Sequence, residues 1–177
     1  MHRRVDGPGS SLPYSQYQLV LGAHQLLNPS PNQVLAEVQK IIPHPRYNRT
    51  SFVADIALVR LKKPVKFTQF IRPISLPGAS RQFPVEKKCW VTSWGRVEVT
   101  AVPLHFPPLP GDSGRPLACE QGGTWYLAGI VSWFMTRNVS GIVCSHPKFP
   151  GVFTRVTAYD SWIQREVGPS DVASPAP

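Results

Sequence analysis

Twenty of the 177 residues are proline, roughly twice the ordinary share, and this limits the fold more than any other feature. A proline ring fixes φ and removes a main-chain donor, so long helices are excluded. Short strands joined by rigid turns remain. Tyr17 to Leu21 is a first short apolar strand. Asn28-Pro29-Ser30-Pro31-Asn32 has turn composition. From Val34 to Ile42 apolar and polar residues alternate, with Val34, Ala36, Val38, Lys40 and Ile42 on one face, and Pro43 and Pro45 end the run. Asp55 to Leu61, Cys89 to Trp94, Thr124 to Phe134 and Gly151 to Val156 read as further strands. Residues 101 to 111 hold four prolines in eleven positions, which no central strand tolerates. One helix is expected near the end, where Val156, Tyr159, Trp162, Ile163 and Val167 share a face. Thr157 and Asp160 read as its capping box, and Gly168-Pro169 as its stop. The class is all-β with a C-terminal helix. Residues 1 to 15 form a loose lead-in and 168 to 177 a disordered tail.

The net charge of +9 is spread over short groups, Arg3-Arg4, Lys62-Lys63 with Lys66, and Lys87-Lys88. Such a surface attracts polyanions weakly, and no aromatic interleaving marks a specific nucleic-acid site. No window reaches the length of a membrane span. The first 13 residues lack an apolar stretch, so no signal peptide is expected within this chain. Three cysteines, Cys89, Cys119 and Cys144, allow at most one internal pair. Asn48-Arg49-Thr50 and Asn138-Val139-Ser140 are glycosylation sequons, with Asn48 and Asn138 as acceptors. With a disulfide, they lean towards the secretory route. Nothing calls for a metal or a cofactor.

Several motifs follow one another in a fixed order: Asp55-Ile56-Ala57-Leu58, Arg72-Pro73-Ile74-Ser75-Leu76-Pro77, Cys89-Trp90-Val91-Thr92-Ser93-Trp94-Gly95, Gly111-Asp112-Ser113-Gly114-Arg115-Pro116-Leu117, Gly129-Ile130-Val131-Ser132-Trp133 and Pro150-Gly151-Val152-Phe153-Thr154-Arg155-Val156. From about Tyr17 to Val167 the chain resembles the trypsin-like, chymotrypsin-fold serine proteases, in particular the tryptase and prostasin group. The resemblance implies an incomplete double β-barrel, with one peptidase domain over 16–167, secreted as in the family. It implies Ser113 as nucleophile and Asp55 as the acid that orients a catalytic histidine. The amides of Gly111 and Ser113 become the oxyanion hole, and Ser132, Trp133 and Phe134 the edge that pairs with substrate main chain. Cys89 and Cys119 match a family disulfide. Cys144 matches a bridge whose partner position, four before the nucleophile, is Leu109 here.

A serine hydroxyl is a poor nucleophile near neutral pH, so a histidine must take its proton and an aspartate must fix that histidine's tautomer. In the family the histidine stands in an Ala-Ala-His-Cys segment ahead of the Asp-Ile-Ala-Leu strand. The five histidines here, His2, His24, His44, His105 and His146, all lack that context, and each reads as an ordinary surface residue. The chain is expected to start after the segment that would carry the base. The activated N-terminus that would pair with Asp112 is not found. Fifty-seven residues, 56 to 112, separate Asp55 from Ser113, too few for the family, and most of the shortfall lies between Gly95 and Gly111. Pro107 takes the acidic pocket position six before the nucleophile. Phe134 takes a glycine position in the pocket wall. Arg115 replaces the glycine of Gly-Asp-Ser-Gly-Gly-Pro, where strain or a displaced backbone is expected.

The first reading is an inactive homologue, a pseudo-protease of this family. The alternatives are a serine endopeptidase with residual or partner-assisted activity through Ser113, with His105 or a histidine of another chain as base; a module binding a polypeptide inhibitor or a polyanion; and a truncated product that folds poorly.

Overall fold

The computed structural model describes residues 13–25, 28–92, 113–139, 142–145 and 151–168, with only the backbone for 15, 136–139 and 142–145. The chain divides into two units, and among described residues the first ends at Pro73 and the second begins at Ile74.

The first unit opens with a 3-10 turn, Tyr14–Gln16, and holds strands β1 (Gln18–Leu21), β2 (Val34–Pro43) and β3 (Ala57–Leu61) in one antiparallel sheet of order β1-β2-β3. Gly22 ends β1 at φ +70°, where an added Cβ would meet the Asn32 carbonyl oxygen at 2.8 Å and the Ile71 side chain at 2.9 Å. Only glycine suits that corner. The alternation along β2 holds as far as buried Val38. A bulge between Val38 and Lys40 then resets the pairing, so Lys40 lies opposite Arg60 and is exposed instead of facing inward with its neighbours. The β3 strand is shorter than its apolar run. Asp55 and Ile56 stand ahead of it, because the chain has just turned through Phe52 and Ala54, both in the left-handed region at φ 55° and 54°. Val38, Ala54, Ile56 and Ile71 form the buried apolar centre of this unit.

The second unit holds β4 (Cys89–Val91), β5 (Pro116–Gln121), β6 (Thr124–Trp133) and β9 (Val152–Arg155) in an antiparallel sheet of order β4-β5-β6-β9. A separate hairpin pairs β7 (Thr136–Val139) with β8 (Ile142–Ser145). Strand β6 is the spine. Its first half also meets Ser75, whose N–H donates to the Trp125 carbonyl at 3.2 Å and whose carbonyl accepts from Leu127 N–H at 3.0 Å. Cys119, Val131 and Val156 are each 1% exposed. Burying a valine side chain fully stabilises by about 1.5–3 kcal/mol. The C-terminal helix begins later than its capping box predicts. Thr157 lies in a 3-10 turn, Val156–Tyr159, and α1 runs Asp160–Glu166 with Tyr159 at the N-cap and no side-chain cap bond. Asp160 still favours the start, as an acid in the first turn. Trp162 and Ile163 are buried, as the shared face predicts.

The all-β class with one short C-terminal helix is therefore as expected. Strand β5 and the β7–β8 hairpin carry no alternating apolar pattern and were not expected from it. Gly95 and Pro107 to Asp112, with His2, His105 and His146, lie outside the described residues, as do the lead-in to residue 12 and the tail from residue 169.

Candidate active site

Ser113 and Gly114 lead into β5 and are fixed against β6 by the register of the two strands. Gly114 sits at φ 87° and its N–H donates to the Val131 carbonyl at 2.8 Å. Val131 N–H donates to the Arg115 carbonyl at 2.9 Å. These two bonds place Ser113 beside Ser132. Ser113 is exposed, Ser132 is 5% exposed, and the Ser113 Oγ–H donates to the Ser132 main-chain carbonyl at 2.8 Å.

A hydroxyl has one proton to donate. While it points at the Ser132 carbonyl it cannot also point at a base. An amide carbonyl accepts that hydrogen bond but is far too weak a base to remove the proton near neutral pH. Ser113 and Ser132 are thus brought together through the one proton that the Ser113 hydroxyl can donate.

The strain expected at Arg115 is not found. Its backbone is not among the left-handed residues, and Gly114 carries the special geometry instead. Arg115 is half-buried. The bridge expected from the resemblance is present. Cys89 and Cys119 are joined, directly opposite one another on β4 and β5, with Cα atoms 4.4 Å apart. Trp133 ends β6 at 37% exposure, paired with Val152. The ring of Phe134 packs edge-on to Phe153, with centroids 6.1 Å apart.

Asp55 belongs to the first unit and is half-buried just ahead of β3. Near it, the Tyr47 phenol is pushed above its ordinary pKa, first by burial and then by the Asp55 carboxylate, with Arg49 opposing. His44, expected at the surface, is buried at 7% exposure. Its main-chain N–H donates to the Ile56 carbonyl at 2.9 Å and its Nδ1 accepts from the Arg46 N–H at 3.2 Å. It anchors the start of the turn that leads to Asp55. His24 is exposed, as expected. Asn48 is exposed, and its Oδ1 accepts the N–H groups of Thr50 at 2.9 Å and Ser51 at 3.0 Å. Asn138 and Cys144 lie on β7 and β8.

The family model described as Trypsin matches residues 9–105 and 108–163. The chain belongs to the trypsin family. Transmembrane protease serine 9 of Rattus norvegicus is 32% identical over 200 aligned residues, covering 90% of this chain. The chain spans only 18% of that protein's length. The solved "Structure of GrC" superposes with a TM-score of 0.65 at 27% identity, over 84% of this chain and 76% of that one. Among the described residues, no helix is long and apolar enough to cross a membrane. The family's motif positions account for Ser113, Asp55 and the edge Ser132 to Phe134. Motif reading missed the bond from Ser113 to the Ser132 carbonyl, because that pairing depends on the register of β5 against β6. It also missed His44, whose burial follows from its position opposite Ile56.

Proposed function

We propose that this 177-residue chain is a trypsin-family homologue that engages polypeptides without cleaving them. The observation that carries the reading is the bond from Ser113 Oγ–H to the Ser132 carbonyl at 2.8 Å. It commits the hydroxyl proton to a main-chain carbonyl, which is too weak a base to remove it near neutral pH, on the edge expected to pair with a bound polypeptide. Several sequence features support it. None of the five histidines stands in the family's histidine context, Pro107 takes the acidic pocket position, and Arg115 takes a glycine position. Removing the base of a comparable serine enzyme costs on the order of a million-fold in turnover.

A fluorophosphonate probe tests this directly, because it reacts only with an activated serine. The purified chain is expected to label no more than its Ser113→Ala variant and to leave peptide substrates intact. Labelling or peptide cleavage that disappears in Ser113→Ala would overturn the reading.

A further inference from the structure

Strand β6 has a single glycine in its interior, Gly129. It stands opposite Leu117 of β5 on one side and opposite Arg155 of β9 on the other, so the three form one row across the sheet. Directly opposed residues carry their side chains on the same face. The row therefore reads leucine, no side chain, arginine, and it leaves a gap over Gly129. The backbone of Gly129 is not left-handed, so its conformation does not demand glycine. Glycine inside a strand often marks a place where a ligand comes close to the main chain. A cavity of about 320 Å³ opens at this place, at the small end of the range for ligand sites, about 300–1,000 Å³. Cys119, Ala128 and Gly129 supply buried lining, and half-buried Leu117 and Phe153 add apolar surface.

The charged lining residues, Glu86, Lys87 and Arg155, are all exposed and make up the rim. Lys87 already faces Glu120 at 3.6 Å. Among the described residues Arg155 makes no ion pair. The lining thus holds two cations against one acid, on a chain of net charge +9. We propose that this cavity is a binding site for a small carboxylate with an apolar body. The body lies over Gly129, in the gap between Leu117 and Arg155, and the carboxylate pairs with the Arg155 guanidinium, whose planar fork matches two carboxylate oxygens. None of Ser113, Ser132, Trp133 or Phe134 lines the cavity, so the site is separate from the nucleophile and from the substrate edge.

The test uses 2-naphthoate and its uncharged amide, 2-naphthamide, titrated into the full chain and followed by their own fluorescence. The acid is expected to saturate one site and to bind about tenfold more tightly than the amide, because a charge-assisted bond is roughly twice as strong as a neutral one. Arg155→Gln is expected to weaken the acid about tenfold and to leave the amide unchanged. Glu86→Gln removes the opposing charge and is expected to tighten the acid alone. Gly129→Ala locates the site. The new Cβ would stand 3.4 Å from Leu117 Cδ2 and from the Thr154 carbonyl oxygen, and 3.5 Å from Phe153 Cβ, so it fits without a clash and fills the gap. This variant is expected to weaken both probes. Should it not fold, Leu117→Phe fills the same gap from β5 and takes its place in the test. No saturable binding, equal affinity for acid and amide, or binding that Arg155→Gln or the filled gap leaves untouched overturns the site. None of these results bears on whether Ser113 reacts with a fluorophosphonate, so the two readings fail separately.

Discussion

The two sheets differ most in what covers them. In the second unit, β5, β6 and β9 place Cys119 and Val131 at 1% exposure and Ala128 at 8%, and a disulfide fastens β4 to β5. In the first unit, β2 carries Val34 and Leu35 at 45% and 59% exposure, β3 carries Val59 at 44%, and the following segment carries Phe67 and Phe70 at 41% and 50%. Ser113 thus stands next to a sheet with a fully buried, cross-linked centre. Asp55 stands ahead of a three-stranded sheet without such a bridge, and both sheets leave large apolar side chains in water, Trp90 at 64% and Trp125 at 46% among those of the second. Local opening is governed by how much apolar area closes over a segment, so the cross-linked centre of the second sheet is expected to open last.

The largest test of that contrast is the disulfide. Replacing both Cys89 and Cys119 by alanine removes a cross-link spanning 30 residues, and a loop of that size contributes about 3–4 kcal/mol. Four of the five tryptophans, Trp90, Trp125, Trp133 and Trp162, belong to the second unit, so urea unfolding followed by tryptophan fluorescence reports mainly on that unit. An unchanged midpoint would show that the second sheet does not depend on its bridge. A smaller effect comes from making one truncation in both sheets. Val131→Ala removes two methyl groups from a site 1% exposed and is expected to cost about 2 kcal/mol. Val59→Ala, at a site 44% exposed, is expected to change stability by no more than about 0.5 kcal/mol. Equal losses would mean that Val59 is covered in solution and that the contrast between the sheets is false.

How much of this was legible in the sequence follows the same division. Apolar runs located β1 and β6, and period-two alternation ended by prolines located β2, because those signals act within the strand itself. They failed at Lys40, where a bulge exposes a residue that strict alternation turns inward. They failed at β5, Pro116–Gln121, whose Pro-Leu-Ala-Cys-Glu-Gln run holds no β-branched residue and is extended only because β4 and β6 flank it. The capping-box pattern at Thr157 places the helix start too early, because the residues around it form a 3-10 turn. Within the site, the Gly-Asp-Ser-Gly run marked Ser113, and Phe134 stood out in a glycine position. The acceptor of the Ser113 proton was not legible, since it depends on which residue of a distant strand falls opposite.

The smallest expected effect probes the surroundings of Asp55 in the first unit. The phenol of Tyr47 has its pKa raised above the ordinary value of 10.0, by burial first and by the Asp55 carboxylate second. Below that ordinary value both the folded and the unfolded chain keep the proton, and the contribution to stability is fully present. As pH rises further the unfolded chain ionises first, so the contribution is lost as pH passes through the folded value. Tyr47→Phe removes this loss. The parent is therefore expected to lose stability faster than Tyr47→Phe above about pH 10, with equal slopes at neutral pH. Tyr47 is 41% exposed, so solvent screening keeps the difference below about 1 kcal/mol. Urea midpoints by far-ultraviolet circular dichroism at matched pH measure it, and taking the parent minus the variant cancels the lysines that titrate in the same range. Parallel curves would mean that folding does not raise the pKa of the phenol in solution. Divergence that shrinks but persists in an Asp55→Asn background would assign the lost part to the Asp55 carboxylate and the remainder to burial, and would show that the first unit holds its acid in a defined place.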